Sequence, residues 1–230
     1  MTELIPVTII TGFLGSGKTT LLKRILQGDH GVRIAVIENE FAAESIDHGL
    51  LVQDSDEQIV EMNNGCICCS VRGDLIRILG ELQAKRAAAM IAFDHVIIET
   101  TGLAAPGPVA QTFFAEPSVS EHYMLDAILT VVDARHAQQQ LTAHKEAQEQ
   151  VGFADRILLS KTDLVSKDAL AALRQRLVAI NGRAGIQKVR FGNVPLRDIL
   201  NIRGFNLNAI VELEPDFLGE LGHRHGDGVH

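Results

Sequence analysis

The stretch Gly12-Phe13-Leu14-Gly15-Ser16-Gly17-Lys18-Thr19 fits G-x-x-x-x-G-K-[ST], the phosphate-binding P-loop, and constrains the fold more tightly than any other. Its flanks agree with the motif. Val7-Thr8-Ile9-Ile10 reads as a buried strand, and Thr20-Leu21-Leu22-Lys23-Arg24-Ile25-Leu26 reads as a helix with apolar residues at 3.6 spacing. Glycines within the loop let the backbone wrap phosphate oxygens and aim N–H groups inward, and the helix N-terminus adds the positive end of its dipole. Gly12 through Gly17, with Lys18, Thr19 and Thr20, form the expected phosphate cradle. Lys18 should reach the β- and γ-phosphates, and the Thr19 hydroxyl should hold Mg²⁺. The chain is therefore expected to bind a nucleoside triphosphate.

Beyond the P-loop, strand and helix alternate. Arg33-Ile34-Ala35-Val36-Ile37 predicts a second strand ending at Glu38, and Gln58–Met62 a short one. Asp94–Ile98 ends at Glu99, Ile128–Val132 ends at Asp133, and Arg156–Leu159 ends at Ser160. Ile186–Arg190 is the last expected sheet strand. Helices are expected over 73–91, over 136–153 in one or two pieces, and over 167–180, with a loop through Pro106 and Pro108. This pattern predicts an α/β fold, a mainly parallel sheet with helices on both faces. At 230 residues and 46% apolar composition, one large domain over 1–208 with a tail over 209–230, expected to be flexible, suits the chain.

Charge and cysteine usage narrow the partners. The formal net charge is −8 without a Lys/Arg cluster, which argues against nucleic acid and anionic membrane. No apolar run approaches the ~20 residues that span a bilayer. The N-terminus carries Glu3 and no basic segment, so no signal peptide is expected. All three cysteines fall within Cys66–Cys69, which is no disulfide framework and fits a reducing cytoplasm.

Strand ends carry the remaining chemistry, because ligands of open α/β sheets sit at the carboxyl ends of strands. Glu99 follows three β-branched residues and matches the acid beside a P-loop that holds Mg²⁺ through water or orients the attacking water. Gly102 can offer its N–H to a γ-phosphate, making Glu99–Gly102 a candidate switch. Ser160-Lys161-Thr162-Asp163 resembles the guanine-reading N/T-K-x-D loop, with Ser in the usual Asn position. A carboxylate at Asp163 accepts from both N1–H and N2–H₂ of guanine, whereas adenine would leave it unpaired. Lys161 and Asp163 are thus the expected base-reading residues.

Gly65-Cys66-Ile67-Cys68-Cys69 is a dense set of soft ligands for Zn²⁺ and related ions such as Co²⁺ or Ni²⁺. In a regular strand Cys66 and Cys68 share a face and Cys69 points away. All three bind one ion only if the chain turns there; Cys66 and Cys68 with an outside acid or His is the other arrangement. Glu38 is the candidate acid. His223, His225 and His230 in the tail are either weak metal ligands or a solvated end.

Together, the P-loop, Asn39-Glu40-Phe41, Cys66-x-Cys68-Cys69, Glu99-Thr100-Thr101-Gly102 and Ser160–Asp163 resemble, in this order, the CobW-type GTPases, and most of all their YjiA subgroup. The resemblance covers the chain to about Asn208. It implies a SIMIBI-like P-loop NTPase architecture and a cytoplasmic GTPase that uses GTP/GDP, Mg²⁺ and Zn²⁺ or a similar metal. It also implies a metallochaperone or insertase with a client metalloprotein, and a homodimer is compatible with it. Two departures stand out. Ala42 replaces the usual Gly, and the chain ends where the family's C-terminal domain would follow a His-rich linker. Two rival readings are a P-loop small-molecule kinase using ATP and a passive metal-storage protein.

Overall fold

The computed structural model describes residues 3–28, 31–38, 58–61, 71–213 and 217. Seven strands lie among them: β1 (Ile5–Thr11), β2 (Ile34–Glu38), β3 (Gln58–Glu61), β4 (His95–Glu99), β5 (Tyr123–Asp133), β6 (Arg156–Ser160) and β7 (Gly185–Lys188). They form one sheet in the order β3-β2-β4-β1-β5-β6-β7, and every neighbouring pair is parallel. Parallel neighbours need crossovers, and the helices supply them. The helices are α1 (Lys18–Leu26), α2 (Val71–Ala87), α3 (Gly107–Ala115), α4 (Pro117–Ser120), α5 (Ala137–Ala143), α6 (Lys145–Gly152), α7 (Lys167–Ile180) and α8 (Leu207–Leu213).

Strand side chains alternate between two faces, so the runs of Ile, Val and Leu fill two cores. Ile10, Val36, Ile97, Leu129 and Leu158 pack under α1 through Leu21, Leu22 and Ile25, joined by Val189, Ile199 and Leu200. On the other face Ile9, Ile37, Val96, Ile98 and Ile128 meet Leu75, Leu79 and Leu82 of α2 and Val109 and Phe113 of α3. Farther along that face Ile157 and Leu159 meet α5, α6 and α7 through Leu141, Val151, Leu173 and Leu177.

Several expectations shift. The strand expected at 128–132 begins five residues earlier, at Tyr123, where it pairs with Ile5 at the start of β1. The loop expected through Pro106 and Pro108 is helix α3, with Pro108 in its first turn. Proline is tolerated there because the first N–H groups of a helix have no intrahelical partner. The stretch 136–153 is two helices parted at His144, whose extended φ of −130° breaks the turn. The boundary drawn at 208 falls inside α8. Ile210 of that helix is buried, and Phe217 beyond it packs against Phe153 at 6.1 Å, so ordered packing continues past 208. The readings of Asn39–Phe41, the loop to Asp56, Cys66, Cys68, Cys69 and the tail histidines lie outside the described residues.

Candidate nucleotide-binding site

Strand β1 delivers the chain to Gly12 at the carboxyl edge of the sheet, between β4 and β5. Gly12 has φ 141°, and a Cβ there would sit 2.2 Å from the Val131 carbonyl oxygen. Only glycine fits, because the loop must leave β1 hard against β5. The loop closes with a hydrogen bond from Ser16 N to Phe13 O (3.2 Å), and Gly17, left-handed at φ 105°, starts α1.

Lys18 is buried, and its Nζ donates to Gly12 O (2.9 Å) and Phe13 O (3.3 Å). Burial lowers its pKa, and the nearby Glu99 carboxylate works against that shift. The ammonium thus rests folded over its own loop, bonded to groups that a phosphate can replace. The Thr19 hydroxyl donates to Glu99 Oε1 at 3.0 Å, across 80 residues of sequence. The two groups assigned to Mg²⁺ from sequence are therefore in contact. Paired hydroxyl and carboxylate oxygens fit a hard cation such as Mg²⁺.

Behind this pair the switch segment lies on the P-loop. Thr100 N bonds Ile10 O (3.0 Å), and Thr100 Oγ1 donates to Thr11 Oγ1 (3.0 Å). Gly102 is buried so close to the P-loop that a Cβ on it would lie 2.7 Å from Leu14 N. Any larger residue would push the two segments apart.

The base-reading loop also reaches the P-loop. Asp133 and Ser160 are paired positions on β5 and β6. Ser160 Oγ donates to Ser16 O at 2.6 Å, tying the two loops where the motif usually has Asn. Lys161, at φ 53°, bridges Gly15 O and Asp133 Oδ2, each at 2.7 Å. Asp133 is buried and also accepts from His136 Nδ1 (2.9 Å) and Arg135 N (2.9 Å). Burial alone would raise its pKa, but these donors and Lys161 outweigh it and hold the carboxyl below its usual range. Asp163 lies exposed in a 3₁₀ turn, outside the sheet core. The sequence pattern places Asp133 at a strand end but does not join it to Lys161, and it passes over His136. The run Asp133-x-x-His136 is the signal that could have found it.

Glu38 pairs in register with Glu99 across β2 and β4. Adjacent strands lie about 4.8 Å apart, so the acid expected at the transition metal neighbours the acid that touches Thr19. Among the described residues no group of three or more His, Cys, Asp and Glu is clustered to hold a metal ion. The three cysteines lie outside those residues. No helix among the described residues is long and apolar enough to cross a membrane.

Residues 6–188 match the family model "CobW/HypB/UreG, nucleotide-binding domain". Over 214 residues the chain is 45% identical to the zinc chaperone YjiA of Escherichia coli, covering 93% of this chain and 66% of that protein. Over 217 residues it is 36% identical to zinc-regulated GTPase metalloprotein activator 1 of Schizosaccharomyces pombe, covering 91% of this chain and 52% of the relative. The chain thus spans about half to two thirds of these relatives. The crystal structure of the Zn(II)-bound YjiA GTPase superposes with a TM-score of 0.73 at 39% identity, covering 89% of this chain and 64% of that one. The nickel complex of HypB from Helicobacter pylori, at 15% identity and a TM-score of 0.53, shares the fold.

Proposed function

The chain belongs to the CobW/HypB/UreG family, and from that membership we propose that it is a GTPase whose slow hydrolysis is coupled to binding and delivering Zn²⁺ or a similar metal. The observation that carries this reading is the contact between Thr19 and Glu99, with Glu38 in register beside it. A triphosphate on the P-loop would draw Lys18 from the Gly12 and Phe13 carbonyls to its β- and γ-oxygens. Thr19 and Glu99 would hold the accompanying Mg²⁺, which neutralises developing charge when bound. Positioning and electrostatics then carry catalysis, with Glu99 orienting water and Gly102 sensing the γ-phosphate. Lys161 would support the base and Asp163 would read guanine.

Cys66 and Cys68, with Cys69 or Glu38, form the metal site of this reading. The GTPase unit, which includes α8, acts in the cytoplasm, alone or as a homodimer, and passes the ion to a client metalloprotein. The names of the relatives support the metal and the nucleotide. With the two acids in register, a movement of Glu99 would be felt one strand away at Glu38, giving the two ligands a physical link.

The deciding experiment titrates Zn²⁺ into nucleotide-free, GDP-bound and GTP-analogue-bound protein, and repeats the series with Cys66→Ala/Cys68→Ala. We expect the analogue to tighten the site by roughly 5–150-fold, the range of typical couplings. Equal affinity in all three states would make the protein a metal store. Equal GTP and ATP affinities would favour the kinase.

A further inference from the structure

Gln150 belongs to α6, is 1% exposed, and has no part in the P-loop, base or metal motifs. A buried glutamine needs partners for its amide, since an unmet donor in a core is costly. It finds them in the switch segment. Nε2 donates to Gly102 O at 3.1 Å and to Ala104 O at 3.0 Å, using both amide hydrogens. The main chain at the same residue is fixed to the sheet, because Thr130 Oγ1 of β5 donates to Gln150 O at 2.7 Å. Gly102 is therefore held from two sides, by Leu14 of the P-loop and by an amide anchored to α6 and β5.

The consequence is mechanical. If the 102–104 segment were tethered only through β4, a γ-phosphate contact at Gly102 would leave the rest of the segment loose. With Gly102 O and Ala104 O pinned, the orientation of the 102–103 peptide is preset. We propose that Gln150 is the positioning residue that sets the Gly102–Ala104 segment against the P-loop for GTP hydrolysis, a role that rests on the GTPase reading above. Its side-chain amide donates to these two carbonyls, and it acts through them.

Two variants test this. Gln150→Met keeps the length and removes both donors. Single-turnover hydrolysis should slow by at least about tenfold, while GDP, held by the P-loop and the base loop, binds within about twofold of the parent. Gln150→Glu sets a buried carboxyl against two carbonyl oxygens, which favours its protonated form, and that form returns one donor. Its hydrolysis rate should therefore rise as pH falls from about 8 to 6, a slope absent from the parent. Undiminished hydrolysis by Gln150→Met, or a Gln150→Glu pH profile parallel to the parent's, would overturn the proposal. Loss of GDP binding together with hydrolysis would make Gln150 a packing residue and overturn it too. A parent protein that hydrolyses no GTP would instead overturn the GTPase reading itself.

Discussion

Asp133 shows how much one buried carboxylate can organise. Its side chain is 2% exposed, and it joins Lys161, His136 and the main chain of Arg135. Replacing it with Asn keeps the shape but removes the charge that balances Lys161, which also bonds Gly15 of the P-loop. Because Lys161 is 37% exposed, solvent screens the pair, and the loss costs about 1 kcal/mol, or roughly 5-fold in affinity. Asp133→Asn should weaken GTP binding by that factor and leave Zn²⁺ binding to the nucleotide-free protein unchanged; titration calorimetry with each ligand checks it. Lys18→Ala makes a different demand. It removes the only P-loop cation, so hydrolysis should vanish and triphosphate binding fall far more than folding stability, as assayed by phosphate release alongside thermal melting. Lys18 was legible in the sequence because its role is fixed by a contiguous motif. The bridge from Lys161 to Asp133 was not, because it joins residues 28 apart whose meeting depends on strand register.

The loops and helices differ in how openly the sequence declares them. The ends of β2, β4, β5 and β6 were readable, since these buried parallel strands are apolar runs that stop at Glu38, Glu99, Asp133 and Ser160. The last strand, expected over 186–190, instead runs from Gly185 to Lys188 and is only partly buried. Helix α3 was not readable, because Gly107, Val109, Ala110, Thr112 and Phe113 are all buried and leave no polar face to set a period. Two prolines then read as a loop, although one of them sits in the first turn. At Ser160 the sequence departs from the guanine-reading pattern, yet the structure supplies a function for that residue, since its hydroxyl ties the base loop to Ser16 O. Ser160→Ala should therefore loosen both loops together and lower GTP affinity by several-fold, about 1 kcal/mol for one hydrogen bond. Gly12→Ala is a harsher test. The added Cβ would need the space of the Val131 carbonyl oxygen, at a φ that L-residues rarely adopt. Overpacking and backbone strain each cost roughly 1–3 kcal/mol, so thermal stability should fall together with nucleotide binding, and both are read in one melt with and without GDP.

Across the whole molecule, the edge opposite the P-loop holds a second polar cluster with its own pH response. His95 is buried at the start of β4, its Nε2 paired with Thr8 Oγ1 at 2.8 Å and its Nδ1 without a hydrogen-bond partner. Burial lowers its pKa to about 4, and the Asp126 carboxylate only partly opposes that. Asp155, which accepts from Ile128 N at 2.7 Å, is pushed up to about 6, again mainly by burial. The two act in opposite directions over one pH range. His95 is neutral in the fold, so its contribution is full above pH 6.5, the ordinary histidine value, and is lost as pH falls towards 4. Asp155 keeps its proton in the fold up to about pH 6, so its contribution is full below 3.8, the ordinary aspartate value, and is lost as pH rises through about 6. Each amounts to something on the order of 3 kcal/mol, because one pKa unit is about 1.4 kcal/mol. The parent should therefore show a nearly flat stability between about pH 4 and 6.5, a balance that the two shifts set jointly. Breaking either half should reveal the other. In His95→Gln the Asp155 response stands alone, so denaturation midpoints should fall as pH rises across that range. In Asp155→Asn the His95 response stands alone, and midpoints should rise with pH instead. Denaturant unfolding of the three proteins at a series of pH values across this range checks it. Slopes of the same sign in both variants would mean that His95 and Asp155 do not titrate against each other.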